Sequence, residues 1–220
     1  MAGIQDFIEY VDDFDGTPVT FPTSANIGTP WLTDVTGAAP PTHVRSGGAA
    51  VLSLEATSQI QILALHHNDA LSYDIDGIQR VEMRVKLSAA FTSGSILVFG
   101  VCSTRNDTAD SVAEHAWFRM EGANSTTLVY CESDDGTTDK NDISSGVTLG
   151  TTYKRFVIDF TGGKSNVKFF IDGQRVAAST TFDMSAYSSG LQPIIQLQKA
   201  ANTNADVCSV DYVKIVSKRV

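Results

Sequence analysis

The 220 residues carry 16 Lys and Arg against 25 Asp and Glu, a formal net charge of −9. That balance, with Lys and Arg scattered along the sequence, argues against a nucleic-acid surface, which needs clustered basic side chains, and no apolar run approaches the roughly 18–20 residues of a membrane-spanning helix. A 42% hydrophobic share at this length fits one domain, residues 1–220, with a sizeable single core.

The first residues lack a basic stretch followed by an apolar one, so no secretory signal is expected. Phe7 to Phe14 alternates as a strand would. From Asp15 to Gly48 the chain is rich in Gly, Pro and Thr. Pro18, Pro22, Pro30, Pro40 and Pro41 forbid long central strands and predict an extended excursion with short edge pieces. Phe21, Ile27, Trp31 and Leu32 are its expected apolar anchors.

After Gly47-Gly48, Val51, Leu52 and Leu54 lead a strand, and Ile60, Ile62, Ala64 and His66 alternate in the next. Asp74 to Gly77 is a turn. Val81, Met83, Val85 and Leu87 then share one face of a strand over Ile78 to Leu87. Ser95 to Cys102 is a nearly continuous apolar run, as expected of a central strand covered on both faces. Glu114 to Glu121 and Thr127 to Glu132 read as strands, and Ser133 to Gly146 as an acidic, solvated loop.

Tyr153 to Val176 reads as two strands, a polar turn and a tight Asp172-Gly173 turn, because Gly accepts the positive φ such a turn needs. Phe156, Ile158 and Phe160 share one face, as do Val167, Phe169 and Ile171. Leu191 to Leu197 and Ala205 to Ser217 close the chain. Roughly a dozen short strands without helical periodicity predict an all-β, two-sheet antiparallel sandwich.

Cys102, Cys131 and Cys208 are an odd, sparse set, expected as free buried thiols. His66 and His67 are strand neighbours that point to opposite faces, and with only His43 and His115 elsewhere no zinc spacing exists. No cofactor is expected.

Four ordered pieces carry a resemblance: Asp12-Asp13-Phe14 with Trp31; Gly47-Gly48 with Val51 to Leu54; Val81 to Leu87 with Ser95 to Cys102; and Asp211-Tyr212-Val213-Lys214-Ile215. Together with the Tyr153–Val176 hairpin they resemble the concanavalin A-like jelly roll of laminarinase-type glycosidases and lectins. The resemblance implies a jelly-roll sandwich and a catalytic strand of pattern E-x-D-x-x-E, with one Glu as nucleophile and the other as acid/base. Where that strand should fall the chain reads Ala116-Trp117-Phe118-Arg119-Met120-Glu121. With Glu121 in the last position, Ala116 and Phe118 occupy the other two, so no enzymatic activity is expected.

The resemblance also implies a structural calcium at Asp211, near Asp12-Asp13 and Gly47. Among the aromatics, Trp31, Trp117, Tyr130 and Tyr187 are candidates for stacking on sugar rings. The expected function is therefore structural: a bacteriophage virion component, such as a capsid decoration or other head or tail protein, assembled in the host cytoplasm. Its partners would be copies of itself and neighbouring virion proteins. The alternative is a lectin-like module that binds glycans over Trp117, Gln196 and Gln198.

Overall fold

The computed structural model describes residues 7–25, 28–37 and 41–218. Ile27 and Pro40 lie outside the described residues. Two antiparallel sheets pack face to face. The first runs, in spatial order, β15 (Gln174–Val176), β14 (Lys168–Ile171), β13 (Lys154–Asp159), β8 (Ile78–Leu87), β17 (Val207–Lys218), β5 (Ala50–Ser53), β4 (Thr42–Arg45) and β2 (Val19–Thr20). β1 (Phe7–Asp12) also pairs with β17. The second runs β12 (Asp139–Thr148), β11 (Leu128–Asp135), β10 (Glu114–Glu121), β9 (Ser95–Cys102), β16 (Gly190–Asn202), β6 (Gln59–His66) and β3 (Leu32–Thr36), with β7 (Tyr73–Asp74) on β16.

The alternating sets anticipated from sequence meet between the sheets. Val81, Met83 and Val85 of β8 and Phe156 and Ile158 of β13 face Leu97 and Phe99 of β9 and Phe118 of β10. Phe118 touches Phe156 and Phe169 edge to face, with ring centroids 4.9 and 5.1 Å apart, an arrangement that suits the ring quadrupoles. The hairpin forms as expected. Asp172 and Gly173 take φ of 50° and 82°, and Val176, Ile171 and Phe169 close its buried face.

The Pro-rich excursion crosses between sheets: β2 and β4 sit at the edge of the first, β3 at the edge of the second. Its entry is pinned by Asp12, whose Oδ2 accepts the indole N–H of Trp31 at 2.9 Å, while the Phe14 ring packs 5.7 Å from Trp31. The Asp-Asp-Phe and Trp pieces of the resemblance therefore meet in space.

One expectation fails. Ser133 to Gly146 is not a solvated loop: β11 continues to Asp135, and β12 is a ten-residue edge strand. Its residues alternate between exposed and half-buried, and with only Ile143 and Val147 apolar they carried too weak a hydrophobic period to read. All three cysteines are free and buried, which pushes the Cys208 thiol up to about 12 and those of Cys102 and Cys131 higher still.

Candidate functional site

The outer face of the second sheet follows from the strand registers. In β10, Ala116, Phe118 and Met120 point into the sandwich core, so His115, Trp117, Arg119 and Glu121 point out. The pairings lay the outward residues in rows across the sheet. One row is Ile62, Gln198, Ile96 and Glu121; the next is Ala64, Gln196, Val98, Arg119 and Tyr130; the third is His66, Ile194, Gly100, Trp117 and Glu132. Gly100 makes the third row possible, since a Cβ there would come within 2.8 Å of the Trp117 Cβ and 2.5 Å of the Ala116 carbonyl.

The second and third rows are sealed. The connection from β9 to β10 folds back over them and sets Ala109 and Val112 against Val98, Cys102, Trp117 and Ile194, a small core separate from that of the sandwich. Burying these side chains stabilises the folded-back loop by roughly 1.5–3 kcal/mol per large aliphatic group. The His115 ring stacks on Trp117 with centroids 3.7 Å apart, and its Nδ1–H donates to the Val112 carbonyl at 3.2 Å. Burial holds the His115 imidazole down at about 4. The Gln196 side-chain amide donates to the Asp107 carbonyl at 3.2 Å and to Gln198 at 2.7 Å, tying loop to sheet.

Charge is concentrated under this loop. The Arg119 guanidinium is ion-paired with Asp110 of the loop, with Glu121 at 3.1 Å and with Glu132 at 3.6 Å. Burial raises the Glu132 carboxyl to about 7, against the opposing pull of Arg119 and of the Trp117 and Asp142 N–H donors. At the far end of the face Asp34 accepts from His66 and Arg105, each at 3.1 Å, and Gln192 binds the His67 and Asp69 N–H groups.

What stays open is the first row. A trough of about 240 Å³ runs over Ile60, Ile62, Ile96 and Gln198 and is walled by Asp107 and Thr108. Ile60 is 57% exposed.

Of the residues singled out from sequence, Gln198 lines this trough, whereas Trp117 and Gln196 are buried beneath the loop and Trp31 is buried at the excursion. Ala116 and Phe118 are core residues. Asp211 accepts a hydrogen bond from Arg84 at 2.6 Å, and both carboxylate oxygens of Asp12 are engaged by the Phe14 N–H and Trp31. That donor set does not fit a calcium ion, since its carboxylates already hold a guanidinium and an indole. Sequence reasoning missed the Arg119, Glu132 and Asp110 cluster. The signal was available for two of the three, because Arg119 and Glu132 fall in the outward registers of two adjacent strands.

No protein-family model matches the sequence, and no curated protein does. Solved structures do match. The catalytic domain of an endo-1,3-beta-glucanase (laminarinase) from Thermotoga petrophila RKU-1 aligns with 13% identity over 99% of this chain and 100% of that one, at a TM-score of 0.63. An endo-1,3-beta-glucanase from Streptomyces sioyaensis aligns with 14% identity over 100% and 99%, also at 0.63. The carbohydrate recognition domain of Emp47p aligns with 11% identity over 91% and 94%, again at 0.63. The expectation of a protein without enzymatic activity is overturned by these glucanase matches. At such identities the likeness shows the architecture: the chain folds as a concanavalin A-like jelly-roll sandwich.

Proposed function

We propose that the domain recognises a carbohydrate chain along the open row of the second sheet's outer face, over Ile62, Gln198, Ile96 and Glu121. The observation that carries this reading is the selective sealing of the face. The loop over 103–113 covers the second and third rows and leaves the first as a trough with apolar floor, amide and carboxylate. Flat aliphatic surface suits the C–H faces of sugar rings, and Gln198 with Asp107 at the wall offers hydrogen bonds to hydroxyls. Fold matches to glucanases and to a carbohydrate recognition domain support the same class of ligand.

Calorimetric titration with β-1,3- and mixed-linkage gluco-oligosaccharides tests it, with reducing-sugar release measured alongside. Saturable binding that weakens about tenfold in Gln198→Ala is expected, the loss of one well-placed polar contact. Sugar release abolished in Glu121→Gln would extend the reading from recognition to hydrolysis. Neither binding nor release with any glucan would overturn it.

A second reading, association with further copies of the chain, draws on β1. Among the described residues this strand pairs with β17 alone, and Phe7, Ile8 and Val11 are each about half exposed on it. Open apolar edges template strand pairing. Light scattering tests it: a monomer at all concentrations removes this reading, and with it the support for a virion role.

A further inference from the structure

The outer face of the first sheet, on the opposite side of the molecule, has a different electrostatic character. Its registers turn outward Arg80, Arg84, Arg155 and Arg175, together with Lys86, Lys168 and Lys214. Seven of the chain's sixteen basic residues thus share one face, against the four carboxylates of Glu9, Glu82, Asp159 and Asp211, in a protein of net charge −9. A focused basic field on an acidic protein draws anions to that face.

Within it lies a cavity of about 350 Å³, between β8, β13 and β14. Val157 and Phe170 form its floor. They are cross-strand partners, and Phe170 is left half-buried while its neighbour Phe169 fills the core. Arg80 and Arg155 stand at the rim, 40% and 45% exposed, with Asp159 and Thr161 beside them. Gly173 borders the rim, where its φ of 82° is what selects glycine.

The two guanidinia share one paired carboxylate. Glu82 is the carboxylate between them. It is buried, ion-paired with Arg80, hydrogen-bonded by the Tyr212 hydroxyl, and 4.0 Å from Arg155. The Arg80 Nε is buried and has no hydrogen-bond partner. Two guanidinia offer ten N–H donors in planar forks, which match the two oxygens of a carboxylate.

From this arrangement we propose that the trough binds an acidic sugar residue, a uronic acid. Its carboxylate is taken by Arg155 and Arg80, its ring lies on Phe170 and Val157, and its hydroxyls are met by Asp159 and Thr161. An aromatic floor with both guanidinium and carboxylate groups at the rim distinguishes a sugar acid from a bare anion, which would need the cations alone. The site is independent of the trough on the other sheet.

Amide chemical-shift titration of the whole chain tests the proposal, with methyl β-glucuronide, methyl β-glucoside and inorganic sulfate as separate probes. Expected are saturating shifts at Phe170, Gly173 and Arg80 with the glucuronide alone, affinity falling about tenfold in Arg155→Gln and in Phe170→Leu, and no change in Gln198→Ala. Arg155 is half in solvent, so its variant is expected to fold, and its spectrum shows whether it has. Equal binding of the neutral glucoside, equal binding of sulfate, undiminished binding in Arg155→Gln, or no shifts with the glucuronide would each overturn the proposal.

Discussion

The indole Nε1–H of Trp117 donates to the Oε2 of Glu132 across adjacent strands at 2.7 Å, beneath the loop that joins β9 to β10. An aromatic ring and a carboxylate, the two groups most useful for holding a sugar, are here engaged with each other and hidden from solvent. Trp117→Phe keeps a ring against His115 but removes the donor. The buried carboxyl then keeps the Asp142 N–H and Arg119 but loses its shortest donor, and urea denaturation should show a loss of about 1–3 kcal/mol. A variant as stable as the parent would mean that the hydrogen bond is replaced or energetically silent.

Glu132 and the buried histidines pull stability in opposite directions with pH. The Glu132 carboxyl is raised by burial from 4.5 to about 7, so between those values the folded chain holds a proton the unfolded chain has released. Its stabilisation is full below about pH 4.5 and is lost as pH rises through 7. His67 and His115 are lowered by burial from 6.5 to about 4, so their contribution is full above 6.5 and is lost as pH falls towards 4. In Glu132→Gln only the histidine trend remains. Its melting temperature should climb more steeply from pH 5 to 7.5 than the parent's, the difference being on the order of 3 kcal/mol. Parallel curves would show that Glu132 does not titrate there.

Lys199 acts as an internal cation. Its three N–H groups are shared among four carbonyls within hydrogen-bonding distance, those of Thr57 at 2.8 Å, Asn204 at 2.9 Å, Asn202 at 3.0 Å and Glu55, joining the β5–β6 and β16–β17 connections. Lys199→Met keeps much of the stem but removes the cation from four carbonyls, of which those of Glu55 and Thr57 still accept a backbone N–H, and should lower stability by about 1–3 kcal/mol. Hydrogen exchange should quicken first at residues 55–57 and 202–204. Uniform exchange across both sheets would instead indicate a global effect.

Val112 holds the loop against Trp117. Val112→Asp places a charge in that small core and should lift the loop, which the sandwich core does not need. The expected readout is red-shifted tryptophan emission and new iodide quenching, with far-ultraviolet circular dichroism unchanged. Emission like the parent's would show that the loop is held by its ion pairs instead.

The strands that were legible in advance are those whose apolar residues repeat every second position: Val81 to Leu87, Phe156 to Phe160 and Val167 to Ile171 all face the core as read. β12 was not legible, because in Asp139 to Thr148 only Ile143 and Val147 are apolar, too sparse a pattern to mark a strand, and the segment is placed by backbone pairing with β11 and by those two side chains against the core. The candidate site was only half legible. The period of β10 separates Ala116 and Phe118 from Trp117 and Arg119, but it does not say which set faces inward.

That choice, and the site with it, belongs to the tertiary structure. Sequence alone determined the class of architecture, since hydrophobic alternation and turn residues act over a few neighbours. It also determined that residues 116–121 of β10 carry one carboxylate, Glu121, where the glycosidase pattern has three. Only the folded chain decides that a loop beginning at Ser103 covers Trp117, that Glu132 from the next strand meets Arg119, and that four arginines from β8, β13 and β15 converge on one face. Those contacts join residues far apart in the chain, and they form because sheet register and burial bring the residues together, which no local period encodes.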